Sequence, residues 1–149
     1  MLADAGIRHA LVGALGANAY RNRPRTTEDI VFLVGDEAFE SHAGGFVTMR
    51  VPVVEFDGIE VDQVPLTDAL RVVEEGLNRA PVSDCVPIAS VDTIVVMKLL
   101  AGRTQDLADV EAMIASGADR ELLRSVVQGS VPDRAEPLAR LFDNVDRTR

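Results

Sequence analysis

At Thr67 the hydrophobic pattern of this chain changes period, and that change limits what it can fold into. Before it, apolar residues come in short runs at residues 10–12, 30–34, 46–51, 53–56 and 59–65, separated by Gly, Pro and Asp-Gly, as in strands and tight turns. After it they recur at three- and four-residue spacing, as in amphipathic helices. The expectation is an α/β fold: a mixed sheet flanked by helices, then a C-terminal helical segment. Residues 1–66 form the sheet core and 67–149 the helices packed on it, one compact domain by length.

Local signals set the elements within this frame. Ala10, Leu11 and Val12 end at Gly13, and residues 16–20 read as a helix, giving strand, glycine turn, helix. Asp57-Gly58 between two β-type runs is a hairpin signal, because both central residues of a type I′ turn need positive φ. Pro52 makes 53–56 a continuation or an edge piece. Thr67 caps a helix bearing Leu70, Val73 and Leu77, and 78–87 is a loop broken by Pro81 and Pro87. Ser90 caps Val91–Ala101, which Gly102 terminates. Leu107, Val110, Met113 and Ile114 form the apolar face of the next helix, closed by Gly117. Asp119 and Asp133 read as caps of two more, and the MLADAG start as an abbreviated N-terminal helix.

Composition narrows the function classes. A net charge of −9 argues against a protein that grips an extended nucleic-acid backbone, since phosphate contacts need clustered Lys and Arg. The local exception is Arg8, Arg21, Arg23 and Arg25, which could meet a triphosphate or an RNA end, or form a solvated rim. The single cysteine, Cys85, excludes an intramolecular disulfide, and no segment has the pattern of a secretion signal, so the expected compartment is cytoplasmic. No apolar run approaches the ~20 residues of a bilayer span.

The chemistry concentrates at Asp29. In a strand, residues i and i+2 share a face, so Asp29 and Val31 project together, about 7 Å apart. An acid at 31 would complete an Asp-x-Asp pair of hard oxygen ligands; with Val31, Asp29 is either half of a metal site or the opening of an ordinary buried strand. Further on, Glu60, Asp62 and Val64 share one face of a central-looking strand, where an isolated Asp needs a partner. A metal or an arginine would satisfy it. Lys98 sits in an apolar helix, Asp106 and Asp109 share a helix face, and ion pairs among Arg103, Asp106 and Asp109 would lock that region beneath the sheet. His9 and His42 are too few and too far apart to suggest zinc, and Tyr20 reads as packing near the first helix.

Taken together, ALVGALGANAYRNRPRTTEDIVFLV and the later SVDTIVVMKLLAGRTQDLADVEAMI resemble the two signature blocks of the nucleotidyltransferase superfamily, in its AbiEii-like and minimal nucleotidyltransferase group. There a Gly-Gly or Gly-Ser pair precedes a helix, and an Arg-x-Thr-x-Asp-x-Asp strand follows. The resemblance implies a nucleotidyltransferase-type sheet. It places Gly13 and Ala14 in the loop against the nucleotide phosphates, without the serine hydroxyl of some relatives. Arg25 and Thr27 fall on the polar residues leading into the metal strand, Asp29 on the first metal carboxylate, Asp62 on the third and Lys98 opposite the phosphates. Val31 falls on the second carboxylate.

The implied reaction is Mg2+-dependent transfer of a nucleoside monophosphate from an NTP to an RNA, protein or small-molecule acceptor. Two ions about 4 Å apart stabilise the attacking and leaving oxygens of such a transfer. With Val31 the site for both ions is incomplete; Glu28 points to the other strand face, and Glu60, beside Asp62, is the candidate replacement. The alternative is a catalytically impaired homologue that serves as a nucleotide-binding or partner protein, for example in a toxin-antitoxin pair.

Overall fold

The computed structural model describes residues 1–83 and 85–149. Four strands form the main sheet: β1 (His9–Val12), β2 (Ile30–Val34), β5 (Glu55–Phe56) and β6 (Ile59–Pro65), with β3 (Phe39–Ser41) and β4 (Val47–Met49) as a separate hairpin. The order is β1-β2-β6-β5; β2 runs antiparallel to β1 and parallel to β6, and β5 antiparallel to β6. The sheet is therefore mixed, as the sequence predicts. Helix α1 (Gly13–Asn18) follows β1 directly. After β6 come α2 (Glu74–Asn78), a small hairpin of β7 (Val82–Ser83) and β8 (Val86–Pro87), and then α3 (Val91–Ala101), α4 (Thr104–Ala115), α5 (Arg120–Ser130) and α6 (Ala135–Arg147).

Period-two alternation gives the sheet two cores. Ala10, Val12 and Leu33 face the helices and pack with Ile94, Leu99, Met113 and Phe142, whereas Ile30, Val34 and Val61 face the other way, onto Leu2, Ile7 and Val54. A sheet covered on both sides needs long apolar β2, which explains why IVFLV has no polar residue. Asp62 and Val64 lie on the helix-facing side of β6, and Asp62 is paired with Val31 across the parallel ladder.

Several elements depart from the sequence expectations for local reasons. Helix α1 begins at Gly13 rather than 16, and ends at Asn18, whose side chain holds the returning backbone of Arg25. Gly16 lets it pass close to β1: a Cβ there would lie 2.9 Å from the Leu11 carbonyl oxygen. The strand expected over 46–51 is limited to Val47–Met49 and leaves the main sheet to pair with β3. Thr67 opens a turn, accepting from the Leu70 amide at 3.4 Å, and regular helix waits until Glu74. The expected 78–87 loop contains the β7–β8 hairpin; Asp84, in the same stretch, lies outside the described residues.

At the helix ends, Ser90 occupies the cap position of α3, but its hydroxyl meets that of Thr93 at 3.0 Å instead of a backbone amide. Gly102 ends α3 at φ 67°, in the left-handed conformation that glycine adopts without strain. Asp119 caps α5 through the Glu121 and Leu122 amides. Asp133 caps nothing; it sits in a single 3-10 turn before Ala135. Residues 1–7 make one turn that buries Leu2 and Ile7.

Candidate functional site

The strand register decides what surrounds Val31. Ile30 pairs with Val61 and Val31 with Asp62 on β6, while Val12, the residue before Gly13, pairs with Val31 on the other side. Gly13 has φ 66°, and a Cβ placed there would touch the Val31 side chain at 3.4 Å. Val31 thus stands between the glycine turn and Asp62, half-buried, with Asp29 exposed just ahead of the strand. The two carboxylates flank hydrocarbon. Asp62 is also exposed, and so is Glu60, which pairs with Glu55. Among the described residues no three His, Cys, Asp or Glu side chains gather as a metal-holding group, so Glu60 does not complete a triad with Asp29 and Asp62.

The approach to Asp29 is held in place by side chains. Thr27 accepts from the Asp29 amide through its hydroxyl at 3.3 Å. Arg25 donates from Nε and Nη2 to both oxygens of Asp109, at 2.8 and 3.0 Å, and Asn18 fixes the Arg25 backbone with two further hydrogen bonds. The segment between α1 and β2 is thereby tied to α4.

Asp109 is the centre of this arrangement. Fully buried, it accepts from Arg21 Nη1 at 2.8 Å, Lys98 Nζ at 2.8 Å and Gln105 Nε2 at 3.2 Å as well as from Arg25. Burial pushes its pKa up, but the hydrogen bonds from Arg25 and Lys98 outweigh burial and hold it at about 2. Asp106, one turn earlier, accepts from Lys98 Nζ at 3.4 Å and Arg103 Nε at 2.7 Å. Burial raises it too, and the Arg103 hydrogen bond with the Lys98 charge brings it below the ordinary carboxylate value. Of the ion-pair lock predicted among Arg103, Asp106 and Asp109, the Arg103–Asp106 pair is present, whereas Asp109 takes Lys98, Arg25 and Arg21 instead of Arg103.

Lys98 therefore does not snorkel to solvent. Its ammonium is buried between two carboxylates, and its stem lines a cavity of about 380 Å³ with Gly13, Val31, Val64, Met97 and Arg103. The cavity walls are chiefly apolar; neither Asp29 nor Asp62 lines them. Ala14, half-buried in the first turn of α1, brings no hydroxyl.

The arginine cluster of the N-terminal quarter splits. Arg21 and Arg25 turn to Asp109, Arg23 is exposed, and Arg8 lies by the C-terminal end of β2, donating to Glu37, Glu74 and Asn78. The Arg8 hydrogen bonds hold Glu37 at about 2. Sequence reasoning missed that Arg21, Arg25, Lys98 and Gln105 all donate to Asp109, and that Asn18 clasps the Arg25 backbone. Only Gln105 has a local signal, its i,i+4 spacing to Asp109. His9 donates to the Ile7 carbonyl and meets the Phe32 ring edge-on, His42 is exposed, and the Tyr20 hydroxyl donates to the Ala89 carbonyl at 2.7 Å.

No helix among the described residues is long and apolar enough to cross a membrane. No family model matches the chain, and no curated protein sequence does. Among solved structures, an antigenic nucleotidyltransferase-like protein from Paracoccidioides brasiliensis is similar at a TM-score of 0.46 and 15% identity, over 93% of this chain and 87% of that one.

Proposed function

We propose that the chain is a nucleotidyltransferase-fold protein impaired in nucleotidyl transfer, which acts as a nucleotide-binding or partner protein. The observation that carries this reading is Val31, placed by the β2–β6 register directly beside Asp62 and against Gly13. The motif resemblance supports the fold family, and the position where it requires a second carboxylate carries an isopropyl group. Neighbouring positions point the same way: Lys98 and Arg25 are engaged with Asp109, and Ala14 has no side-chain hydroxyl to offer.

Two exposed carboxylates, Asp29 and Asp62, match the one or two that magnesium takes alongside nucleotide phosphates. They do not match the two-ion arrangement of phosphoryl transfer, in which a further carboxylate bridges the ions. Asp29 and Asp62 would hold a single ion, which would neutralise phosphate charge. The chain's own contribution is to fix Asp29 through Thr27 and the Arg25–Asp109 tie, and to keep the backbone of Gly13 open.

The test is incubation of the purified chain with magnesium and each α-labelled nucleoside triphosphate, with RNA and protein acceptors. Weak calorimetric binding of Mg-ATP without label transfer is expected from the wild type, and Val31→Asp should tighten magnesium binding and raise labelling. Transfer by the wild type that Asp62→Asn abolishes would overturn the impaired reading. Absence of binding for all four nucleotides would remove the nucleotide, leaving only the partner role.

A further inference from the structure

The free edge of the sheet carries a pattern that the candidate site does not use. β5 stands at the end of the strand order, so its outer side has no strand beyond it. In its hairpin Glu55 lies opposite Glu60 and Phe56 opposite Ile59, and the Val61 amide donates to the Val54 carbonyl at 2.7 Å. Hydrogen-bonded and non-hydrogen-bonded pairs alternate along an antiparallel ladder, so with Val54 and Val61 bonded, Glu55 and Glu60 form the non-bonded pair. The amide and carbonyl of Glu55 therefore point outward, along the open edge. Pro52, which has no amide, marks where that edge ends.

The two faces of the edge differ in chemistry. Phe56 and Ile59 lie together on one face, 57% and 46% exposed. Glu55 and Glu60 stand together on the other. Both carboxylates are exposed, and among the described residues neither takes part in an ion pair. Like charges in a non-bonded pair face each other at the closest cross-strand spacing and weaken the pairing. The hairpin thus holds a repulsion that its own chain leaves unneutralised and an apolar pair that its own chain leaves uncovered.

We infer that this edge accepts an extended peptide segment of a partner whose side chains alternate basic and apolar, added as a further strand beside β5. The backbone of Glu55 supplies main-chain hydrogen bonds, the partner's cations settle against Glu55 and Glu60, and its apolar side chains cover Phe56 and Ile59. Charge complementarity selects this occupant over a second copy, since the chain carries a net charge of −9 and would bring acid against acid. The surface lies outside the cavity beside Gly13 and does not depend on nucleotide chemistry.

The probe is a short capped peptide alternating lysine and valine, titrated into the isotope-labelled full chain, with a control peptide of equal composition whose lysines form one block. The alternating peptide should bind about tenfold more tightly than the control and shift amide resonances within residues 53–60. Glu55→Lys turns an attraction into a repulsion and should weaken binding about tenfold. Phe56→Ser should weaken it as well; both positions are exposed, and the amide spectrum of each variant verifies its fold. Equal binding of the two peptides, shifts confined to other elements, or no binding at millimolar peptide would each overturn the proposal. So would sedimentation showing a wild-type dimer that Phe56→Ser dissolves, because the occupant would then be a second copy.

Discussion

Asp109 has no solvent exposure, yet four side chains donate to it. Three of those donors are cations, so removing the carboxylate leaves Arg21 and Arg25 without their ion-pair partner and Lys98 with Asp106 alone, which is more damaging than losing one hydrogen bond. Asp109→Asn should destabilise the fold by about 3 kcal/mol, read from the urea midpoint. Arg103→Ala is the contrast. Its side chain is 80% exposed, so the loss of its pair with Asp106 should fall within about 1 kcal/mol. Asp106 and Asp109 share a helix face at i and i+3, which is readable from the sequence. Which cations reach them is not, because Arg21 and Arg25 come from 88 and 84 residues away.

Helix α2 shows how packing can reverse a propensity. Replacing a helical glycine with alanine gains up to about 1 kcal/mol where there is room. At Gly129 in α5 nothing lies within 4 Å of an added Cβ, so Gly129→Ala should raise the melting temperature. At Gly76 an added Cβ would overlap the hydroxyl of Thr93, which is buried on α3 and paired with Ser90 at 3.0 Å. Gly76→Ala should therefore lower stability by about 1–3 kcal/mol, as overpacking does. Calorimetry of the two variants separates the effects, and equal shifts in the same direction would show that α2 does not pack on α3 as described. Nothing in the sequence distinguishes these glycines; the partner of Gly76 lies on another element.

Across the whole molecule, the two carboxylates held at about 2 brace the segments on either side of β2. Asp109 ties the segment before β2 to α4, and Glu37 ties the turn after β2 to Arg8. Both have folded pKa values of about 2, below ordinary values of 3.8 and 4.5. A depressed pKa gives stability that is complete above the unfolded value and lost as pH falls through the folded one. Urea midpoints should therefore hold down to about pH 5 and fall steeply from there to pH 2. Asp109→Asn should flatten that fall, because it removes one of the two depressed carboxylates. The helical layer has its own anchor in Phe142 of α6, buried and flanked by the guanidinium groups of Arg120 and Arg124 at 5.1 and 4.7 Å from the ring. Phe142→Ala should cost about 3–5 kcal/mol in the same measurement.

The features legible along the chain alone were local: the change of period at Thr67, the Asp57-Gly58 hairpin, Ile30–Val34 as a strand, the Gly102 stop and the Asp119 cap. Each depends on backbone preference or on neighbours within four residues, so the information sits in one window. The alternation along β2 also put Val31 on the face opposite Ile30 and Phe32, because side chains along a strand repeat every two residues. Tertiary structure decided the rest. It sent 47–49 to a separate hairpin, split the arginine cluster between Asp109 and Glu37, and buried the Lys98 ammonium between two aspartates. It also set Val31 between Gly13 and Asp62. Those outcomes depend on strand register and long-range ion pairing, in which a charge takes the nearest opposite charge the fold brings to it, and no spacing along the chain encodes that distance.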